Sequence, residues 1–258
     1  MSIDFHAQEN RYTYASRRAH PDWATAIRSI IDPAGKRVAD IGCGGGIYSA
    51  AWADIGAGKV TGVDFSAQMV LAATEKNNAR ENMSFTQGNA LDTGLPSASA
   101  DIVFERALIH HLTDYEGCFD EARRVLAGGG QYIIQDRTPD DVALPGSRQH
   151  IRGYFFECFP ELLDVEIGRR PTLPAVEQAL RSTGFEPPQV ITVWETRRRY
   201  ESFADLSKDL SGRVGRSILH NLDDAQLKQL VRFIGDRIPT DAAILEQDRW
   251  TIWSARKP

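Results

Sequence analysis

The sequence predicts an α/β fold in which a parallel sheet is doubly wound, with helices on both faces. Three observations carry that prediction. Short apolar runs of strand length alternate with helical patterns between Arg37 and Gln135. A glycine turn, Gly42-Cys43-Gly44-Gly45-Gly46, stands between the first of those strands and the helix after it. Polar residues stand where the strands give out: Asp40 and Asp64 toward the ends of the first two, Gly88-Asn89 after the third, Glu105-Arg106 at the end of the fourth.

Before the sheet, residues 1–35 read as an N-terminal arm and helix. Asn10 to Arg18 is rich in aromatics and arginine, and His20-Pro21-Asp22 breaks it. Trp23, Ile27, Ile30 and Ile31 then recur at helical spacing until Pro33-Ala34-Gly35. Arg37–Ile41 is the first strand and Ile47–Ile55 a helix stopped at Gly56-Ala57-Gly58. Val60–Val63 is the second strand, and Ser66 can cap a helix carrying Met69, Val70 and Ala73 on one face. Met83–Gln87 and Asp101–Glu105 are the third and fourth strands. Thr113-Asp114-Tyr115-Glu116 reads as a capping box for a helix with Phe119, Ala122, Val125 and Leu126 inward. Gly128-Gly129-Gly130 should stop it before a fifth strand, Gln131–Gln135.

After that the rhythm changes. Residues 137–171 form a long connection with an aromatic centre, Tyr154-Phe155-Phe156-Glu157-Cys158-Phe159. A helix near Pro174–Ser182 and a strand at Gln189–Thr196 resume the pattern. A polar helical stretch, 200–237, has boxes at Ser202-x-x-Asp205 and Asp223-x-x-Gln226, and Ala243–Ala255 reads as the last strand. The chain, 1–258, is expected to be one domain, with 137–171 and 200–237 as helical lid or insertion segments.

Composition narrows the function classes. A net charge of −5 and short, scattered arginine clusters argue against a nucleic-acid-holding protein. No apolar run approaches the roughly 20 residues of a membrane span, and the N-terminus lacks the pattern of an export signal. Cys43, Cys118 and Cys158 are few, odd in number and far apart, which predicts neither disulfides nor a zinc site and fits the cytoplasm.

The chemistry gathers at the carboxyl ends of the strands, where open α/β sheets bind ligands. Glycines at alternate positions let the backbone turn left-handed and leave room for a bound group. The helix that follows aims unpaired N–H groups and a positive dipole end at it. Ile47 occupies the place of the last glycine in the dinucleotide fingerprint, so a dehydrogenase is disfavoured. Asp64 follows Gly46 by 18 residues, about where an acidic side chain accepts bonds from a ribose.

In this order, Val38–Gly46, Gly62-Val63-Asp64-Phe65-Ser66, Gln87-Gly88-Asn89-Ala90, Ala107–Leu112 and Ala122–Gly130 resemble the class I S-adenosylmethionine-dependent methyltransferases, in the small-molecule or quinone-methyltransferase-like branch. The resemblance implies a Rossmann-like, seven-stranded sheet of order 3-2-1-4-5-7-6 with the last strand antiparallel. It implies S-adenosyl-L-methionine as cofactor and S-adenosyl-L-homocysteine as product. Gly42, Cys43 and Gly44 would then approach the methionine part, with Asp40 interacting with its ammonium. Asp64 would hold the ribose, Phe65 and Met69 would lie against the adenine, and Asn89 and Ala90 would meet its edge. Asn89 stands where the family usually has aspartate; a carboxamide can still bond the exocyclic amine. The Arg106 backbone would contact the methionine end.

Methyl transfer from a sulfonium needs alignment first, and a base only when the nucleophile must lose a proton. His111 is the candidate base, with a pKa ordinarily near 6.5. His110 reads either as a packing histidine or as a group facing the substrate. Tyr12 and Tyr14 belong either to a surface arm or to a cap over the site. Arg137, His150, Tyr154, Phe155 and Phe159 are either core residues or part of an acceptor pocket. The acceptor is expected to be a small molecule, with no nucleic acid or membrane partner and a monomeric or homodimeric chain. A tRNA or protein methyltransferase is the alternative enzyme, and a non-catalytic S-adenosylmethionine-binding regulator the alternative of another class.

Overall fold

The computed structural model describes residues 18–239 and 242–258. Seven strands, β1 (Arg37–Ile41), β2 (Lys59–Asp64), β3 (Met83–Gln87), β4 (Ala100–Arg106), β5 (Leu126–Asp136), β6 (Gln189–Tyr200) and β7 (Ile244–Arg256), form one sheet in the order β3-β2-β1-β4-β5-β7-β6. β1 runs parallel to β2 and β4, β2 to β3 and β4 to β5, while β7 is antiparallel to β5. Fold class and strand order are those expected. The helices are α1 (Pro21–Ile30), α2 (Ile47–Asp54), α3 (Ala67–Lys76), α4 (Tyr115–Val125), α5 (Pro139–Val142), α6 (Gly153–Cys158), α7 (Glu161–Ile167), α8 (Leu173–Ser182), α9 (Phe203–Ser211) and α10 (Asp224–Gly235).

By its contacts the described chain divides into two compact units, a larger one of residues 18–136, 171–193 and 251–258 and a smaller one of 137–170 and 194–250. In the larger unit the strand alternation sorts the core into two faces. Val38, Ile102, Phe104, Ile133 and Ile252 turn toward Trp23 and Ile27 of α1 and Trp52 of α2. Ala39, Ile41, Val103, Tyr132, Ile134 and Trp253 turn toward Phe119, Ala122 and Val125 of α4 and Val176 and Leu180 of α8. Trp23 locks the first face: its ring meets Trp52 and Phe104 edge-on at 5.3 and 5.7 Å, and its indole N–H donates to Gln135 Oε1 at 3.1 Å. The smaller unit has its own core, built on Ile151, Phe155 and Leu162 from 137–170 and on Leu206, Leu219, Leu230 and Ile234 from 194–250.

Several local expectations change. The helix expected from Thr113 is capped instead by Asp114, whose carboxylate accepts the Gly117 N–H at 2.8 Å. A side chain at Gly117 would collide with that carboxylate. The three glycines after α4 lie inside β5 rather than before it, with Gly129 left-handed (φ 74°) where the β4–β5 register shifts, as at a bulge. β6 runs on to Tyr200, taking in the arginine run, because Arg197 turns inward to Glu246 at 2.9 Å. The boxes at Ser202 and Asp223 cap α9 and α10 as expected, the second with both reciprocal bonds. Residues 137–171, read as a long connection and as a helical lid or insertion segment, hold three short helices, α5, α6 and α7.

Candidate active site

The site is built where β1, β2, β4 and β5 end in the larger unit. Gly42, Gly44 and Gly46 all adopt positive φ, at 73°, 51° and 74°. Gly46 is the N-cap of α2 and offers no side chain to its first-turn N–H groups. Among the described residues a Cβ on Gly44 would meet nothing within 4 Å, so that part of the turn is open to them, whereas one on Gly42 would meet Leu108 at 3.0 Å. The turn is pinned to β2, since the Gly42 and Cys43 N–H groups both donate to the Val63 carbonyl.

Asp64 is the second pin. Its Oδ2 accepts the Gly44 N–H at 2.8 Å and its Oδ1 the Ser66 N–H at 2.9 Å, so one carboxylate joins the turn to the start of α3. Phe65 beside it is half exposed, and Met69, one turn into α3, is buried. Asn89 closes a small loop after β3: its backbone exchanges two bonds with Asp92, and its Oδ1 accepts the Leu91 N–H at 3.0 Å. Ala90 is partly buried beside it.

Asp40 is 2% exposed and holds the Ser49 hydroxyl at 2.5 Å. Burial pushes its carboxyl up to about 7, helped by the charge of Asp64; the Ser49 bond and the Arg106 charge act against that rise. The Arg106 guanidinium lies over the Tyr48 ring at 4.1 Å. Ala107 follows with φ 53°, an uncommon conformation for a non-glycine residue, and turns the chain out of β4 toward a short 3₁₀ turn, Ile109–His111.

That turn carries both histidines. His110 is mostly buried and its Nδ1 lies 2.8 Å from Asp136 Oδ2, at the end of β5; its backbone N–H points to the same oxygen at 3.3 Å. A carboxylate on Nδ1 fixes the ring and stabilises the imidazolium. His111 is exposed, its ring 4.0 Å from that of His110. Behind them Glu105, fully buried, is pushed up to about 8 by burial, against hydrogen bonds that include the Cys118 thiol at 3.4 Å.

Of the residues singled out from sequence, Asp40, Gly42, Cys43, Gly44, Asp64, Phe65, Met69, Asn89, Ala90, Arg106, His110 and His111 thus all lie in this unit, at strand ends or in the turns and first helical turn that follow them. Arg137, His150, Tyr154 and Phe155 lie in the smaller unit. There Phe155 has no exposed surface and belongs to the apolar core, which accounts for it by packing alone. His150 bonds the Pro145 carbonyl at 3.1 Å and meets Trp194 edge-on. Tyr12 and Tyr14 lie outside the described residues. Sequence reasoning missed Ser49, Tyr48 and Asp136; Asp136 was findable as a strand-end carboxylate, by the reasoning that singles out Asp64. Among the described residues no group of His, Cys, Asp and Glu is arranged to hold a metal, and no helix is long and apolar enough to cross a membrane.

Comparison with known proteins agrees with this geometry. Residues 39–134 match the methyltransferase-domain family. The chain is 28% identical over 163 residues to the 27-O-demethylrifamycin SV methyltransferase of Amycolatopsis mediterranei, covering 60% of this chain and 55% of that protein. It is 33% identical over 150 residues to the demethylmenaquinone methyltransferase of Listeria welshimeri, covering 56% of this chain and 63% of that one. The alignments therefore span little more than half the length of these relatives. In fold it is similar to the phosphoethanolamine N-methyltransferase 2 of Haemonchus contortus, solved with phosphomonomethylethanolamine and S-adenosylhomocysteine, with a TM-score of 0.61, 20% identity, and coverage of 99% of this chain and 60% of that one.

Proposed function

We propose that this chain, whose residues 39–134 match the methyltransferase-domain family, is a class I, S-adenosylmethionine-dependent enzyme that transfers a methyl group from that cofactor to a small molecule. The observation that carries the reading is the pinned glycine turn, with its open face at Gly44 and the Asp64 carboxylate beside it. These residues suit the cofactor. The Gly42–Gly44 backbone would lie along its methionine part, Asp64 would accept from the ribose, and Phe65, Met69, Asn89 and Ala90 would border the adenine. When bound, the cofactor supplies an electrophilic methyl group.

The chain's own part is to bind, orient and move a proton. We assign the proton-accepting role to His110, not His111, because the Asp136 carboxylate holds the His110 Nδ1 at 2.8 Å and orients its ring at the strand ends. Asp136 then stabilises the imidazolium that forms. The net charge of −5 supports a small acceptor rather than tRNA, and three free thiols fit the cytoplasm.

Calorimetry with S-adenosylmethionine, S-adenosylhomocysteine and NAD tests the cofactor. Binding of the first two and not of NAD is expected, and Asp64→Ala should weaken it by at least tenfold, roughly the loss of a charge-assisted bond pair. Binding of NAD alone, or no effect of Asp64→Ala, would refute the assignment. Transfer of labelled methyl groups to a metabolite extract, compared with tRNA and protein fractions, then tests the acceptor class.

A further inference from the structure

Asp40 stands in a central strand between two neighbours that offer its side chain no donor. β1 is paired on both sides, and Asp40 lies opposite Gly62 of β2 and Phe104 of β4, one without a side chain and one apolar. A carboxyl buried in such a place is costly unless donors meet it. They come from α2. Ser49, the third residue of that helix and without exposed surface, gives its hydroxyl proton to Asp40 Oδ2 at 2.5 Å. Its backbone N–H bonds the same carboxyl.

The pair completes what the glycine turn leaves undone. Gly46, the N-cap of α2, has no side chain for the first-turn N–H groups, so Asp40 takes the place of a cap and ties α2 to β1. Between the two lies Gly42–Gly46, the stretch read above as lying along the cofactor's methionine part. Among the described residues, the other charges that reach Asp40 are Asp64 of β2, which opposes its ionisation, and Arg106 of β4, which favours it. The Cys43 thiol in the turn is kept neutral by burial. Burial outweighs them all and holds the Asp40 carboxyl near 7, where one donor more or less decides how much of it is charged at neutral pH. A hydroxyl that donates to a carboxyl favours the charged form.

We propose that Ser49 is a positioning residue of the cofactor site, acting through Asp40: its hydroxyl keeps that carboxylate in the charged form that the cofactor's ammonium group needs. The inference rests on the S-adenosylmethionine reading given above and deepens it.

Calorimetry of the full chain with S-adenosylhomocysteine, which carries the same ammonium group, tests it at pH 7 and pH 9. Each variant is compared with the parent at the same pH, so the ligand's own titration cancels. Without the hydroxyl, the midpoint of the pH dependence should climb by about one to two units, the loss of a bond to a charged group. Ser49→Ala should then bind about 5–50-fold more weakly than the parent at pH 7, and within about twofold of it at pH 9. In an Asp40→Asn background the same change should no longer alter the pH profile. A serine that only packs would lose the same factor at both pH values. Should Ser49→Ala not fold, Ser49→Cys, with a weaker donor in nearly the same space, should show the pattern in smaller measure. A parent that does not bind S-adenosylhomocysteine refutes the cofactor reading. A parent that binds it, with a variant-to-parent ratio equal at pH 7 and pH 9, overturns this proposal alone.

Discussion

With Asp40 beside the cofactor's ammonium, as proposed, its carboxyl should make binding sensitive to pH in a direction that can be worked out. Its pKa of about 7 lies well above the ordinary 3.8, chiefly through burial. A cationic ligand with an ammonium and a sulfonium group favours the ionised carboxylate, so binding must drive off the proton wherever it is present. If only the ionised form binds, the apparent dissociation constant scales as 1 + 10^(pKa − pH), a factor of about 11 at pH 6 and about 1.1 at pH 8. S-adenosylmethionine should therefore bind about tenfold more tightly at pH 8 than at pH 6, a difference of about 1.4 kcal/mol. Calorimetry at pH 7 in buffers of different ionisation enthalpy should register release of about half a proton. Folding runs the other way. The native state keeps a proton that the unfolded chain has lost between about pH 4 and pH 7, so Asp40 lowers stability as pH rises through that window. Asp40→Asn should flatten both curves. An affinity that stays level from pH 6 to pH 8 in the parent protein, with no proton released, would refute the reasoning.

Other outcomes follow from neighbouring residues. Glu105, raised from 4.5 to about 8, should make the protein lose stability as pH climbs through that interval, by an amount on the order of a few kcal/mol; urea titrations at pH 5 and pH 9 should show the loss in the parent and a smaller one in Glu105→Gln. Gly62→Ala would set a methyl group 2.5 Å from Phe85 Cδ1 and 2.9 Å from Cys43 Sγ, and should cost about 1–3 kcal/mol, while Gly128→Ala, with open space around it, should be near neutral in the same assay. His110→Ala should cut turnover by roughly 10²–10⁴ at unchanged cofactor affinity, and Asp136→Asn should follow it, whereas His111→Ala should keep most activity. A large loss in His111→Ala with activity kept in His110→Ala would return the role to His111.

Much of the larger unit was legible in the sequence because its rules are local. Strand runs flanked by glycine and aspartate mark where a parallel sheet ends, and a ligand crevice follows from that geometry. The capping residues Ser66, Ser202 and Asp223 announce their helices because a short polar side chain satisfies N–H groups two or three residues ahead. Thr113 misled because its neighbour Asp114 does the same work and only the space at Gly117 decides between them. The His110–Asp136 pair was hidden, since it joins residues from two strand ends far apart in sequence. The two-unit division was hidden too. The smaller core draws on 137–170 and 194–250, and neither stretch shows alone which apolar residues the other will cover. Phe155, read as either core or pocket wall, lies buried in a core that this second stretch completes.

The place of β7 in the sheet has a consequence for how the chain is made. The sheet edge of β5 that residues 131–136 present is covered only when residues 251–256 arrive, well over a hundred positions later in the chain. At ordinary rates of synthesis that edge stands open for about 6–25 s, a template for pairing with another nascent chain. Lys257 then fastens the late strand, its ammonium bonding the carbonyls of Arg123 and Leu126 at 2.6 Å each. A chain cut short before Thr251 would keep its glycine turn and both histidines, and would be expected to collect in aggregates with an apparently intact site.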